Sequence, residues 1–182
     1  MSSFNHYLEK EVLDHFIKTD GLYIGLSRTD GVRNITENGS HGGFAVWDDD
    51  GEGGKEIVTD GIDEPNTGWF QDPEDDSWKQ ESVEGRCDEY LRRIVNAADW
   101  HDVEVVLGLN GDSELRLSAD ITFPTAGTGE DWGNISHFFI VSNATIGQGN
   151  ILAYGKMPDS VHIIDGMVAK IWANTVVVRM TD

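Results

Sequence analysis

The sequence predicts a mainly β fold: an antiparallel β-sandwich or jelly-roll-like barrel with one N-terminal amphipathic helix and a long acidic loop insertion. Three observations predict it. Short apolar runs separated by Gly, Asn and Pro turns follow each other from Val103 to Met180, with no second helical pattern among them. Residues 3–19 have the period of a helix, and residues 31–87 are rich in Asp and Glu. The 182 residues fit a single domain, 1–182, with its sandwich core at 88–182.

The N-terminal helix is predicted over residues 3–19. An apolar side chain recurs at every fourth position, which is the spacing of one helix face, in Phe4, Leu8, Val12 and Phe16. Gly21 supplies a stop, because glycine accepts the left-handed conformation of a helix cap. A lone helix of this length is marginal in water, so its apolar face is expected to be buried against the sheet or against a neighbouring subunit.

The first strand is predicted at Leu22–Ser27, and the acidic insertion follows it at 31–87. The insertion holds fifteen Asp or Glu against four Lys or Arg, so most of it cannot bury enough apolar surface to form a second core. A short strand or hairpin is predicted at Gly43–Trp47 and Glu56–Thr59. The large aromatics of the insertion are expected to pack on the main body or on another subunit, and sugar binding is the alternative. These residues are Phe44, Trp47, Trp69, Phe70 and Trp78.

The acidic run from Asp48 to Glu52 has the composition of a calcium loop without its spacing. If Gly51 were the sixth residue of an EF-hand loop, the first ligand position would be Val46 and the twelfth Ile57, where the loop needs Glu. A solvated acidic turn is therefore predicted. A looser calcium site remains the alternative at this point.

The sandwich strands are predicted from period-two alternation and from turn residues. Glu114–Phe123 is predicted as one strand that Pro124 ends, and Asn110-Gly111 predicts a hairpin that pairs it with Val103–Leu109. The remaining strands are predicted at Tyr90–Ile94, Ile135–Val141, Gly149–Met157, Val161–Ile164, Met167–Trp172 and Thr175–Met180, with the last two paired to each other. Pro158-Asp159 is predicted to turn the chain between Gly149–Met157 and Val161–Ile164. The predicted core consists of Leu115, Leu117, Ile121, Phe123, Trp132, Phe138, Ile140, Leu152, Tyr154, Ile171 and Val177.

An ordered series of short phrases runs through this pattern. They are the helix from Tyr7 to Phe16, the strand Leu22-Tyr23-Ile24-Gly25-Leu26, the phrase Tyr90-Leu91-Arg92-Arg93, the segment from Ile121 to Phe138, the strand from Gly149 to Gly155, and a closing pair of strands after Asp165-Gly166. The series resembles a family of small bacteriophage structural proteins, the tail fibre or capsid fibre proteins. The resemblance implies a non-catalytic virion component that forms a homo-oligomer, with a trimer favoured. It does not cover 31–87, where the family has a short loop.

The charge of the chain restricts its partners. Lys and Arg number 13 and Asp and Glu 33, which gives a formal net charge of −20. A field of that sign repels phosphate, so neither nucleic acid nor an anionic membrane surface is an expected partner. The N-terminus has no apolar signal-peptide region and no run of eighteen apolar residues occurs, so the expected location is a virion assembled in the host cytoplasm.

No catalytic, cofactor or metal motif stands out in the sequence. The only cysteine, Cys87, excludes an intramolecular disulfide, and the acidic residues that follow it disfavour a reactive thiolate. The six histidines lie in different predicted elements, and His137 falls inside an apolar strand where a structural role is expected. We therefore expect no enzyme activity, no cofactor and no metal.

The predicted function is that of a structural virion component, a head- or tail-exposed fibre-like, decoration or adaptor subunit that contacts itself and other virion proteins. The alternative is a carbohydrate-binding module that uses the Trp-rich insertion. A sandwich of this size needs neither the helix face nor the insertion aromatics for stability, and surplus apolar surface marks interaction sites. The candidate interface residues are Phe4, Leu8, Val12, Phe16, Trp47, Trp69 and Trp78.

Overall fold

The protein is mainly β, with antiparallel sheets that form no closed barrel among the described residues. The computed structural model describes residues 6–17, 21–28, 46–49, 55–59, 62, 64–65, 69–71, 78–80, 87–105 and 113–180. The chain forms two compact units. The first comprises Met1–Leu22, Ile94–Thr122 and Lys170–Asp182, and the second comprises Tyr23–Arg93 and Phe123–Ala169. The single sandwich domain stays a prediction.

The helix and strands of the described residues follow in chain order. They are α1 (His6–Ile17), β1 (Leu22–Arg28), β2 (Val46–Asp49), β3 (Lys55–Thr59), β4 (Trp69–Gln71), β5 (Trp78–Gln80), β6 (Arg93–Val95), a 3₁₀ turn (Ala97–Asp99), β7 (Glu104–Val105), β8 (Ser113–Arg116), β9 (Ile121–Thr125), β10 (Asp131–Val141), β11 (Ile151–Ile164), β12 (Val168–Ile171) and β13 (Val177–Met180).

The largest sheet has the strand order β11-β10-β1-β6, and β10 pairs antiparallel with both β1 and β11. Two phenylalanine rings of β10 pack over glycines, one on β1 and one on β11. Gly25 lies opposite Phe139, and Gly155 lies opposite Phe138. A Cβ at Gly25 would stand 2.3 Å from the Phe139 ring, and one at Gly155 would stand 2.6 Å from the Phe138 ring. The absent side chains therefore create the space that the two rings occupy.

The long edge strand β11 corrects one prediction. The turn predicted at Pro158-Asp159 is wrong, because β11 continues from Ile151 to Ile164. Between the pairs His137↔Lys156 and Ile135↔Val161 the register shifts, and Met157–Ser160 face the single residue Ser136. Pro158 is tolerated in this bulge because a proline without an N–H fits an edge strand.

In the first unit, α1 packs on β7 and β8, and Leu13 is the buried residue of the described helix side chains. The strand order is β13-β8-β7, so the predicted antiparallel pairing of β7 with β8 is confirmed. The predicted turn at Asn110-Gly111 lies outside the described residues. The predicted pairing of Met167–Trp172 with Thr175–Met180 is wrong. β12 pairs with β9, and β13 pairs with β8.

The predicted strand Glu114–Phe123 is split into β8 and β9, and Leu117 makes an isolated bridge to Trp100. β9 also continues through Pro124 to Thr125, one residue past the predicted stop. Proline is accepted there because β9 has one partner strand, β12, among the described residues.

Most of the predicted core is confirmed as buried: Leu115, Leu117, Ile121, Phe123, Trp132, Ile140 and Ile171. Phe138 and Val177 are half-buried, and the adjacent Phe139 is fully buried instead. The prediction is wrong for Leu152 and Tyr154, which are 45% and 39% exposed. On β11 the alternate residues Ile151 and Ala153 are the half-buried ones, so the opposite face of this edge strand packs inward.

Within the insertion, β2 and β3 form the predicted antiparallel hairpin, and β4 pairs with β5 in a second one that the sequence did not indicate. Asp48 and Asp49 lie on β2, and residues 50–54 lie outside the description. Ile62 is fully buried in a cluster with Phe139 and Val141. Part of the acidic insertion therefore belongs to the core of the second unit.

Candidate functional site

A buried polar network joins the insertion to the phrase Tyr90-Leu91-Arg92-Arg93. The Arg92 guanidinium donates to both carboxylate oxygens of Glu64, from Nε to Oε1 at 2.7 Å and from Nη2 to Oε2 at 2.6 Å. Both side chains are fully buried. The Tyr90 hydroxyl donates to Glu64 Oε1 at 3.0 Å and accepts from the backbone N–H of Leu26 on β1 at 2.9 Å. The fork geometry suits a buried arginine–carboxylate pair.

The same arginine fastens the turn between β10 and β11. Arg92 Nη1 donates to the carbonyl oxygens of Asn143 at 2.6 Å and Gln148 at 2.8 Å, and the Gly147 N–H donates to Glu64 Oε2 at 3.2 Å. The Arg92 guanidinium also lies 5.4 Å from the centre of the Phe139 ring. Three segments distant in sequence are therefore held together by one ion pair.

Burial determines the protonation of this network. Burial raises the pKa of the Glu64 carboxyl, and the hydrogen bonds and charge of Arg92 lower it by less. Burial also raises the pKa of Tyr90 well above its ordinary value, and the Glu64 charge adds to this effect. Tyr90 therefore keeps its proton and remains a donor to Glu64.

A second buried carboxylate, Glu130, lies at the start of the segment that contains Trp132. Glu130 accepts hydrogen bonds from the N–H groups of Gly127 at 2.7 Å and Glu89 at 2.8 Å, and from Trp132 Nε1 at 2.9 Å. Burial raises the pKa of Glu130, but these donors lower it by more, so the pKa lies below its ordinary value. The ionised carboxylate thus holds the turn and the buried indole in place.

The Trp132 indole also takes part in an aromatic cluster. Its ring meets Tyr90 edge-on, with centroids 5.3 Å apart and an angle of 79° between the planes. Tyr90 in turn stacks on Phe123 at 6.3 Å. Three rings from two of the sequence phrases therefore pack together in the core of the second unit, with Tyr90 in the middle.

Part of the predicted interface is exposed on α1. Leu8 and Val12 are 44% and 45% exposed, although they lie one helical turn apart on a helix that buries Leu13. The structure thus places these two side chains on the outer face of the helix. Phe16 lies on α1 and Trp47, Trp69 and Trp78 lie on β2, β4 and β5, but their side chains, like all of Phe4, lie outside the description. Their role as interface residues stays a prediction.

Cys87 and His137, which the sequence analysis considered for chemistry, each contact a polar neighbour. Cys87 is buried, and its Sγ donates to the Asp131 carbonyl at 3.4 Å. His137 Nδ1 lies 2.6 Å from the Ser136 hydroxyl, and burial lowers the pKa of this histidine, with a smaller contribution from Lys156. In the described part of the chain, no group of three His, Cys, Asp or Glu side chains could hold a metal ion. A search of the same residues finds no helix with the length and apolar character of a membrane span.

Sequence reasoning missed Glu64. It is one of fifteen acidic residues in the insertion, and its neighbours Ile62 and Pro65 were the available sign that this short stretch is buried. Arg92 was named within a phrase, but its burial was not expected. Both residues hold loops against the β-sheets. The structure is therefore that of a β-rich protein whose loops are held in place by buried polar groups.

The comparison with protein families identifies the family of the chain. The family model described as Podophage GP4 fiber I protein gp80 matches residues 67–179. Because these residues make up more than half of the chain, the chain belongs to this family of phage fibre proteins. The match includes Tyr90 and Arg92, and it leaves α1 and Glu64 outside. No curated protein and no solved structure matches the chain.

Proposed function

We propose that this chain is a head- or tail-exposed fibre-like, decoration or adaptor subunit of the virion, acting through contacts and not through catalysis. The observation that carries the proposal is membership of the fibre family over 67–179. The buried networks around Glu64 and Glu130 support it, because they stabilise loops on a rigid sheet. Its partners are further copies of itself, with a trimer favoured by the family resemblance, and other virion proteins, without nucleic acid or membrane.

The exposed face of α1 is the proposed contact surface between copies. Leu8 and Val12 present adjacent apolar side chains to solvent on a helix that is already anchored by Leu13. Their burial in an assembly would remove apolar surface from water, which favours association. Salt helps such contact, because the −20 charge of each copy opposes it at low ionic strength.

Light scattering of the purified chain in moderate salt tests this proposal. The parent is expected to be a closed oligomer, and the double variant Leu8→Gln/Val12→Gln is expected to be a monomer. Glutamine keeps the helix propensity, so the helix itself should survive. Glu11→Gln is the matched control, since Glu11 is exposed on the same helix, and it should assemble like the parent.

Antibody labelling of purified particles tests the virion role separately. A virion subunit should remain on particles through density-gradient purification and be accessible to antibody. A parent chain that is monomeric in salt, or a chain absent from purified particles, would contradict the proposal.

A further inference from the structure

A small polar pocket in the first unit has no role in the functions considered so far. Its volume is about 200 Å³, and among the described residues it is lined by His101, Asp102, Glu114, Arg116 and Asn174. Glu114 and Arg116 alternate on β8 and therefore share one face of the strand, where they form an ion pair. The pocket thus brings a guanidinium, two carboxylates, an imidazole and an amide to one place.

The turn that carries Asn174 is fixed before any ligand arrives. Asn174 has φ +64, and its N–H donates to the Leu117 carbonyl at 2.7 Å. His101 Nε2 lies 3.0 Å from Asn174 Oδ1, and the His101 N–H donates to the Arg116 carbonyl at 2.9 Å. An amide oxygen can only accept a hydrogen bond, so in this arrangement Nε2 is the donor of the pair. The amide is therefore held in one orientation beside the imidazole.

The same turn carries the most exposed large apolar side chain of the described residues, Trp172, at 59%. One residue, Ala173, separates it from Asn174, so their Cα atoms are at most about 7 Å apart. Asp120 accepts from the Ala173 N–H at 2.8 Å and pairs with Lys170 at 2.7 Å. The Lys170 ammonium lies 3.8 Å from the centre of the Trp172 ring, which restrains the indole.

The charges of the pocket select a class of ligand. With a neutral imidazole, Asp102 and the Glu114–Arg116 pair sum to one negative charge, and the chain around them is strongly acidic, so an anion is repelled. The pocket residues do not form a metal-binding group. Charged and amide groups in this number do not suit an apolar ligand. They do offer both donors and acceptors, which is what hydroxyl groups need.

We infer that this pocket binds a neutral, hydroxyl-rich ligand of about one sugar residue, with the exposed Trp172, close to Asn174 along the chain, as its aromatic partner. The polar side chains bond the hydroxyl groups, and the indole covers the C–H face of the ring. The pocket is smaller than the roughly 300–1,000 Å³ of sites for drug-sized ligands, which limits the occupant to a single ring. None of the lining residues named above belongs to the insertion, whose tryptophans were the earlier candidates for sugar binding.

Saturation-transfer NMR on the purified full chain tests the inference. The probes are methyl glycosides of glucose, galactose and mannose and N-acetylglucosamine at millimolar concentration, with inorganic phosphate and calcium chloride as charged comparisons. At least one neutral sugar is expected to receive saturation from the protein. Neither phosphate nor calcium chloride is expected to reduce that signal. Binding of phosphate or calcium in competition with sugar, or no transfer to any sugar, would overturn the inference.

Two variants locate the signal. Asn174→Gly removes the amide without strain at positive φ, and Trp172→Ala removes an exposed indole, so both should remain folded. Each variant is expected to raise the dissociation constant for the sugar by at least about two- to tenfold, which is the effect of losing one hydrogen bond. Tyr154→Ala, which removes an exposed aromatic in the second unit, is the matched control and should bind like the parent.

The variants also separate this site from any other sugar site on the chain. Undiminished binding in either Asn174→Gly or Trp172→Ala, as expected if the insertion tryptophans hold the sugar, counts against the pocket. An equal loss in Tyr154→Ala counts against it as well.

Discussion

Removing Arg92 from its ion pair should destabilise the second unit by several kilocalories per mole. In Arg92→Met the Glu64 carboxylate loses two charge-assisted hydrogen bonds and keeps those from Tyr90 and Gly147. Each charge-assisted bond contributes roughly 1.5–3 kcal/mol, and breaking a buried pair by removing one partner typically costs about 3–5 kcal/mol. We expect a loss near 3–5 kcal/mol, because both side chains are fully buried.

Urea denaturation at neutral pH measures the loss from the midpoint and the slope. Arg93→Met is the matched control, because Arg93 is the exposed neighbour of Arg92, and it should change stability by less than about 0.5 kcal/mol. The double variant Glu64→Leu/Arg92→Met should recover part of the stability, because it removes the unpaired carboxylate but leaves the Asn143 and Gln148 carbonyls and the Gly147 N–H without these bonds. A single variant within 1 kcal/mol of the parent, or a double variant no better than the single, would refute the assigned role of the pair.

The pH dependence of the Arg92→Met variant gives an independent check. Without its arginine, Glu64 has a folded-state pKa raised by burial above the unfolded value, so the folded variant binds a proton more tightly than the unfolded chain. Its deficit relative to the parent is therefore expected to shrink as the pH falls through that raised pKa. A deficit that stays constant down to the unfolded pKa would show that the lost stability comes from packing alone.

Two further predictions concern the second unit. The pKa of Glu130 is lowered from 4.5 on folding, so this group stabilises the protein above its unfolded pKa, and the contribution is lost as the pH falls through the folded pKa. Glu130→Gln should therefore flatten the acid limb of the stability–pH curve measured by urea titration, and an unchanged limb would contradict the assignment. Gly25→Ala should cost about 1–3 kcal/mol by overpacking against Phe139, and Phe139→Leu in the same chain should relieve part of that cost in thermal melts. Equal destabilisation by the single and double variants would exclude the ring contact as the cause.

The alternation of apolar and polar residues predicted strands well where only every second residue is apolar. Leu115 and Leu117 are buried as the period predicts, because the residues between and after them are polar or small. On β11 the residues Ile151 to Tyr154 are all apolar, so the period cannot distinguish the inner face from the outer one. The register of β11 against its partner β10 decides which face packs inward, and the composition of residues 151–154 does not reveal that register.

Strand pairing at the C-terminus shows a second limit of local reasoning. The residues between β12 and β13 have turn character, and Asn174 does adopt positive φ, as a tight turn requires. A turn between neighbouring strands normally predicts a hairpin. Here β12 pairs with β9 and β13 with β8, so the turn passes the chain from one sheet to another. Its local chemistry was predictable, whereas the partners of the strands were not.

The phrase around Arg92 explains why the buried network could not be found from composition. Burial does alternate there, but it selects Tyr90 and Arg92, while Leu91 is 55% exposed. Hydrophobicity predicts the reverse, since an arginine is buried only when its charge is paired. Its partner Glu64 lies in a segment whose acidic average indicates a solvated loop, and it lies outside the part that matches the fibre family. Ile62, Glu64 and Pro65 are buried although they lie in the segment that composition marks as a solvated insertion, so composition and packing define different boundaries for it.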